Sequence, residues 1–237
     1  MFDPSPFVLP LQLAETFRIC TPTVIEAVAG RHSRDRSDRR LKEWADRAFH
    51  LAESDVEVEG LAENVDPSQS YLLMSNHQSA YDIWALFVAY PHTMRMIAKR
   101  SMFSLPIMGN AMKVVGFVEI DRGNHKKAMA ALETAKEAMA SGISIWIAPE
   151  GTRSNDGKLL RFRKGGFMMA LQVGCPILPV SIEGTRDILP AKDFRVRKRK
   201  TARITFHPPV HPASYGLERR DELMGDVRDT IASVLPY

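Results

Sequence analysis

The chain has 237 residues, 45% of them hydrophobic and 25% charged, an ordinary globular usage that excludes collagen-like, low-complexity and wholly disordered classes. That length suits one large domain or two small ones and is enough to bury a sizeable core. Thirty-two Lys and Arg against 28 Asp and Glu leave a formal charge of +4, which permits a phosphate-bearing or anionic-membrane partner without requiring one.

The two cysteines, Cys20 and Cys175, form no CxxC pattern and no disulfide ladder, the usage of an intracellular protein that needs no metal staple. The first 30 residues lack a positive n-region and a small-residue cleavage site, and Pro4, Pro6, Pro10 and Pro22 interrupt their apolar runs. Neither a signal peptide nor a spanning helix is expected there. Phe7, Val8, Leu9, Leu11 and Leu13 crowd together, so two readings stay open: a Pro-bent amphipathic element lying on a bilayer, or a helix packed on the core. From Arg31 to Arg47, seven basic residues stand among four acidic ones. Leu41, Trp44, Ala45, Ala48 and Phe49 recur at helical spacing, predicting an amphipathic helix with a wet face.

From about residue 56, short apolar strands alternate with helices. VEVEG and YLLMSN read as strands, then a helix from Ser79 to about Tyr90, the strand MRMIA, a short helix from Pro106 to Val114 and the strand GFVEI. A long helix from Asn124 to Ser141 follows, with Asn124 as its N-cap and Gly142 as its stop. Then come the strand ISIWIA, the helix GGFMMALQ, the strands PILPVSI and ARITF, and a C-terminal helix from about Leu217 to Leu235. The uncharged run Gly165 to Ile182 has 18 residues, but Pro176 and Pro179 break it, so it reads as helix, turn at Gly174 and buried strand. The pattern predicts a single α/β domain: a mixed, largely parallel sheet flanked by helices, with N-terminal helices appended.

Two segments can carry chemistry. In NHQSAYD, His77 and Asp82 are five residues apart, about 140° on a continuous helix, where they would not meet. If His77 sits in the strand-to-helix turn and the helix begins at Ser79, the first turn swings Asp82 back to the imidazole, fixing its tautomer and leaving the other nitrogen basic toward a hydroxyl. Ser79-x-x-Asp82 equally fits a capping box. APEGTRS, Ala148 to Ser154, follows an apolar strand and sets a carboxylate, a glycine and the Arg153 guanidinium at the carboxyl edge of the sheet, where ligand crevices open; a solvated turn is the other reading. GFVEIDR adds Arg122 at a strand end, Lys99 ends MRMIAK, and FRKGGF adds Arg163 and Lys164. RVRKRK, Arg195 to Lys200, has five basic residues in six. With only Phe194 nearby for base stacking, lipid or an acidic carrier ranks above nucleic acid. No GxSxG, GxxxxGK[ST], GxGxxG or HExxH motif occurs, and His207 and His211 in HPPVHP lack the companions of a metal site.

In order, NHQSAYD, GFVEIDR, APEGTRS and PILPVSI resemble the four blocks of the glycerolipid acyltransferase family typified by 1-acyl-sn-glycerol-3-phosphate acyltransferases. NHQSAYD matches its NHx4D motif, and Ala148 replaces the usual Phe of FPEGTRS. The resemblance covers roughly residues 60 to 210 and divides the chain into residues 1–55, a helical, membrane-contacting segment, and 56–237, the catalytic domain. It implies fatty-acyl transfer from acyl-CoA or acyl carrier protein to the free hydroxyl of a lysophospholipid, with His77 as general base and Asp82 orienting it. It further implies that Arg122 and Arg153 hold the acceptor phosphate, that Glu150 and Gly151 shape the acceptor pocket, that Lys99 assists, and that no cofactor, metal or nucleic acid takes part. The expected location is peripheral, at the cytosolic face of an anionic membrane, held by the apolar N-terminal surface and the 195–200 tract. Acylation of glycerol 3-phosphate, a lyso-aminolipid or a lysophosphocholine would use the same dyad. A non-catalytic basic lipid-binding module would bind with steep salt dependence and be indifferent to His77.

Overall fold

The computed structural model describes residues 5–120 and 125–236, with backbone only for 125–128. Arg122 and the predicted cap Asn124 lie outside the described residues. Among those described, seven strands form one sheet: β1 (Asp55–Glu59), β2 (Leu72–Ser75), β3 (Met94–Lys99), β4 (Val118–Ile120), β5 (Ser144–Ile147), β6 (Ile177–Glu183) and β7 (Thr201–Phe206). Their order is β1-β7-β6-β2-β5-β3-β4. β6 and β7 pair antiparallel, and the other neighbours are parallel. The helices are α1 (Val8–Val28), α2 (Arg34–Leu51), α3 (Leu61–Asn64), α4 (Tyr81–Ala89), α5 (Arg100–Phe103), α6 (Met108–Val115), α7 (His125–Ala140), α8 (Lys164–Val173), α9 (Thr185–Ile188) and α10 (Arg220–Ala232). This is the mixed, largely parallel α/β sheet the alternating pattern predicts.

All four residues of β2 are buried, as a parallel strand covered on both faces requires. The period of two then sorts its side chains. Leu73 joins Trp146, Leu178 and Val180 in a core with Ala45 and Phe49 of α2 and Tyr81 and Ala85 of α4. Leu72 and Met74 join Ile145 and Ile177 in a second core with Ala135 of α7, Phe167 of α8 and Val227 of α10. The same alternation carries Ser75 and then His77 toward the face that holds Trp146, which decides where the imidazole ends up.

The structure adds detail to the sequence reading at three places. First, the prolines do not interrupt α1, which runs unbroken for 21 residues with Pro22 inside it. Pro10 falls in the first turn, where no N–H is needed. Packing against α2 and α6 holds the helix despite the ring at Pro22: Trp44 Nε1 donates to Thr16 Oγ1 at 3.0 Å, and Arg40 bonds both carboxylate oxygens of Glu26. Second, the helix expected from Pro106 to Val114 is α6 and starts two residues later, at Met108, because Pro106 sits in the turn that separates it from α5 and Ile107 takes φ +63°. Third, the RVRKRK cations are largely spoken for. Lys198 and Arg199 both pair with Glu53 at 2.8 Å, and Arg197 with Asp193 at 3.1 Å. The tract is also tied to the N-terminus by an antiparallel bridge between Ser5 and Val196.

His207 is structural. Its Nε2 lies 2.8 Å from Ser181 Oγ, which donates to the Ile231 carbonyl at 2.7 Å, and burial pushes its imidazole below the ordinary range. Burial likewise pushes the thiols of Cys20 and Cys175 up to about 11 and about 12, so neither is a thiolate nucleophile near neutral pH. Among the described residues no helix is long and apolar enough to cross a membrane, and no group of three metal-binding side chains is gathered.

Candidate active site

Because β2, β3, β4, β5 and β6 run parallel, their carboxyl ends share one edge of the sheet, and the candidate residues emerge there from separate strands. His77 follows β2, Glu150 follows β5, and Lys99 ends β3. The segment after β2 is clamped to the end of β6. Asn76 Oδ1 accepts from the Ile182 amide, while the side-chain amides of Asn76 and Gln78 both donate to the Ile182 carbonyl at 2.8 and 2.7 Å. α4 begins at Tyr81, two residues later than Ser79, leaving His77 to Ala80 as a turn free to bend.

That turn produces the contact the spacing left open. His77 Nδ1 lies 2.7 Å from Asp82 Oδ2, and the Asp82 side chain is fully buried. The same oxygen accepts from the amides of Gln78 at 2.7 Å and Ser79 at 2.9 Å, and Ser79 Oγ accepts from the Tyr81 amide. The capping box and the dyad are therefore one set of atoms. Asp82 Oδ1 accepts from the Thr185 hydroxyl. With donors converging on both carboxylate oxygens, His77 Nδ1 is the proton-bearing nitrogen and Nε2 carries the lone pair. The ring stands edge-on to Trp146 at 5.7 Å, and Trp146 Nε1 is held by Ser75 Oγ at 2.9 Å. The His77 side chain retains 18% exposure, so the ring is not sealed from solvent.

Glu150 does something other than line a pocket. Its Oε1 accepts from the His77 amide at 2.7 Å and its Oε2 from the Leu160 amide at 2.8 Å. Both oxygens are occupied, the side chain is buried, and that burial pushes the carboxyl above its ordinary value, the two amides opposing. The residue welds the loop after β5 to the loop after β2. A second weld is the Ser154 amide donating to the His77 carbonyl at 2.8 Å. Gly151 turns this loop with φ +72°, a backbone conformation a side chain would strain.

Arg153, next to Ser154, is exposed at the mouth of the loop. Lys99 is exposed two strands from β2, roughly 10 Å away at the usual strand spacing. The fold thus brings His77, Asp82 and Glu150 into contact, anchors Arg153 one residue from them, and puts Lys99 on the same edge. Residues not singled out from sequence are Asn76, Gln78, Trp146, Thr185 and Arg186; the last donates to the Asn155 carbonyl and adds a cation beside the loop. Of these, only Asn76 and Gln78 carried a sequence signal, through their place in NHQSAYD.

A family model described as Acyltransferase matches residues 55–183. The chain is 33% identical over 178 residues to the chloroplastic 1-acyl-sn-glycerol-3-phosphate acyltransferase LPAT1 of Arabidopsis thaliana, covering 75% of this chain and 48% of that one. It is 29% identical over 180 residues to 1-acyl-sn-glycerol-3-phosphate acyltransferase alpha of Mus musculus, covering 76% and 63%. The chain thus spans about half to two thirds of the length of these relatives. The crystal structure of PlsC, the 1-acyl-sn-glycerophosphate acyltransferase of Thermotoga maritima, superposes with a TM-score of 0.75 at 28% identity, covering 94% of this chain and 92% of that one. A match over more than half its length, joined to a fold shared almost end to end with PlsC, makes this chain a member of the acyltransferase family that includes the 1-acyl-sn-glycerol-3-phosphate acyltransferases.

Proposed function

We propose that the chain transfers a fatty acyl group from an acyl thioester, acyl-CoA or acyl carrier protein, to the free hydroxyl of 1-acyl-sn-glycerol-3-phosphate, giving phosphatidate. The observation that carries this reading is the dyad: a part-exposed imidazole whose Nδ1 lies against a buried carboxylate, on a sheet edge with the exposed Arg153. His77 Nε2 takes the hydroxyl proton as that oxygen attacks the thioester carbonyl; Asp82 stabilises the imidazolium. The C–O bond forms, the C–S bond breaks, and the proton passes from Nε2 to the departing thiolate. The attacking oxygen belongs to the acceptor, so no acyl-enzyme and no cofactor enter the scheme. Arg153 suits bidentate recognition of the acceptor phosphate, with Arg122 and Lys99 proposed beside it; Glu150 and Gly151 serve by holding the loop.

The test is incubation of the purified protein with labelled acyl-CoA and a panel of lysolipids, with product identification. Phosphatidate from 1-acyl-sn-glycerol-3-phosphate is the expected product, and failure to acylate any phosphate-bearing acceptor would sink the reading. Arg153→Ala is expected to raise KM for that acceptor about tenfold or more through loss of a charge-assisted contact, with kcat changed little.

The acceptor is an amphiphile, and the structure offers a surface for its bilayer. Phe7, Leu11, Phe17, Ile25 and Val28 of α1 and its cap are exposed, as is Phe194. The Ser5–Val196 bridge holds the segment that leads into α1 against a tract that keeps an excess of positive charge after its pairs with Glu53 and Asp193. We propose peripheral attachment there to an anionic, cytosolic-face membrane. In flotation with anionic vesicles at low salt the protein should rise with the lipid, and Phe7→Ser with Phe194→Ser should weaken binding about 100-fold. A wild-type chain left wholly in the aqueous fraction contradicts the attachment.

A further inference from the structure

We infer that Thr185 is a positioning residue of the catalytic dyad, holding the Asp82 carboxylate in the orientation that fixes the His77 tautomer. The inference rests on the proposed general-base role of His77 and adds a third member to it.

Asp82 has two oxygens with different duties. Oδ2 faces His77 Nδ1 and is held besides by the amides of Gln78 and Ser79. Those amides lie in the same short turn as the imidazole and move with it. Oδ1 points the other way and, among the described residues, takes its hydrogen bond from Thr185 Oγ1. Thr185 is fully buried and lies 103 residues along the chain, at the start of α9, so among the described residues this contact ties the carboxylate to the segment after β6. Without it Oδ1 stays buried without that donor, and the carboxylate is oriented only by the short turn that also carries the imidazole.

The chain is built to deliver that hydroxyl. β6 lies beside β2 in parallel register, with Ser75 opposite Val180, and the Ile182 backbone is gripped by Asn76 and Gln78. At Gly184 the chain turns with φ +75°, and a Cβ there would fall 2.0 Å from the Thr201 carbonyl oxygen. The turn is therefore fixed against β7, and the next residue is Thr185. Its side chain is closed off from solvent, so it touches neither acceptor nor donor and acts only through Asp82.

The predicted signature is a loss in kcat without a loss in substrate binding. Thr185→Val keeps the shape and removes the donor. It should lower kcat about 10- to 100-fold, the range for losing a partner that orients a functional side chain, with both KM values within about twofold. Thr185→Ser keeps the hydroxyl and should stay within about threefold of wild type. In an Asp82→Asn background, adding Thr185→Val should change kcat less than about twofold, because the path through Asp82 is already broken. A Thr185→Val enzyme with wild-type kcat, a multiplicative loss on top of Asp82→Asn, or a folded Thr185→Ser enzyme as poor as the valine variant each overturns the inference. Should the valine variant not fold, Thr185→Ala against Thr185→Ser reads the same difference. His77→Ala, run alongside, separates the two levels. Full activity in that variant rejects the general-base reading itself, whereas loss there with an unaffected Thr185→Val rejects the Thr185 inference alone.

Discussion

His77→Ala is expected to lower kcat for acyl transfer by about 10⁴-fold, the upper part of the range for a positioned general base. An alcohol is a poor nucleophile until its proton has somewhere to go, and the His77 imidazole, oriented through Nδ1 and part-exposed, is the proposed acceptor. The fold itself should survive. The imidazole is part-exposed in a loop and packs edge-on against Trp146, and the backbone amide that Glu150 grips is untouched by the substitution. KM for both substrates should therefore change little and the melting temperature by only a few degrees. The measurement is release of free thiol from acyl-CoA under saturating acceptor. A folded His77→Ala protein within tenfold of wild type would mean that the proton leaves by another route. Asp82→Asn should fall nearly as far, since a neutral amide in that place no longer stabilises the imidazolium that forms on His77.

The second large effect is at Glu150, and it separates holding a loop from touching a substrate. Glu150→Ala strands the amides of His77 and Leu160 in a buried site. At about 1–3 kcal/mol for each unsatisfied donor, the loss of stability should be about 3 kcal/mol, a fall of about 10 °C in melting temperature for a domain of this size. Because one of those amides belongs to His77, kcat should fall with it by at least about 100-fold. Glu150→Gln is the sharper probe: it keeps the shape, yet its NH₂ group must face one of the two N–H donors. It should recover part of the stability and remain impaired. Calorimetry beside steady-state kinetics decides the matter: a Glu150→Ala protein that melts normally and shows only a raised acceptor KM would make the carboxylate a pocket wall after all.

The legibility of this fold was uneven for physical reasons. Strands such as YLLMSN and ISIWI were readable because a parallel strand covered on both faces must be apolar throughout. α2 was readable because Leu41, Ala45, Ala48 and Phe49 keep helical spacing. The dyad was half readable: the five-residue gap forbids contact on a helix, so everything hung on where α4 begins, and that depends on the Asn76 clamp to β6. Thr185 was invisible because its contact spans 103 residues and exists only through β6 lying beside β2. The pairing of RVRKRK was hidden for the same reason, its partner Glu53 standing some 145 residues away. For α1 the sequence left a Pro-bent surface element and a helix packed on the core both open, because packing on α2 and α6, which outweighs the hydrogen bond missing at Pro22, cannot be read from the chain. Arg122 carries its expected role forward untested, outside the described residues.

The α1 helix, packed on α2 and α6, also bears on the dyad. Tyr81, the residue before Asp82's position in α4, packs edge-on against Phe49 of α2, and its hydroxyl is met by the side chain of Gln12, which also donates to the Ala48 carbonyl at 3.0 Å. The greasy first helix is thus bolted by a buried amide to the very helix that carries the acid. An enzyme trimmed of that helix to improve its handling in solution would not be the same catalyst made more convenient; it would be one with a hole beneath its working acid.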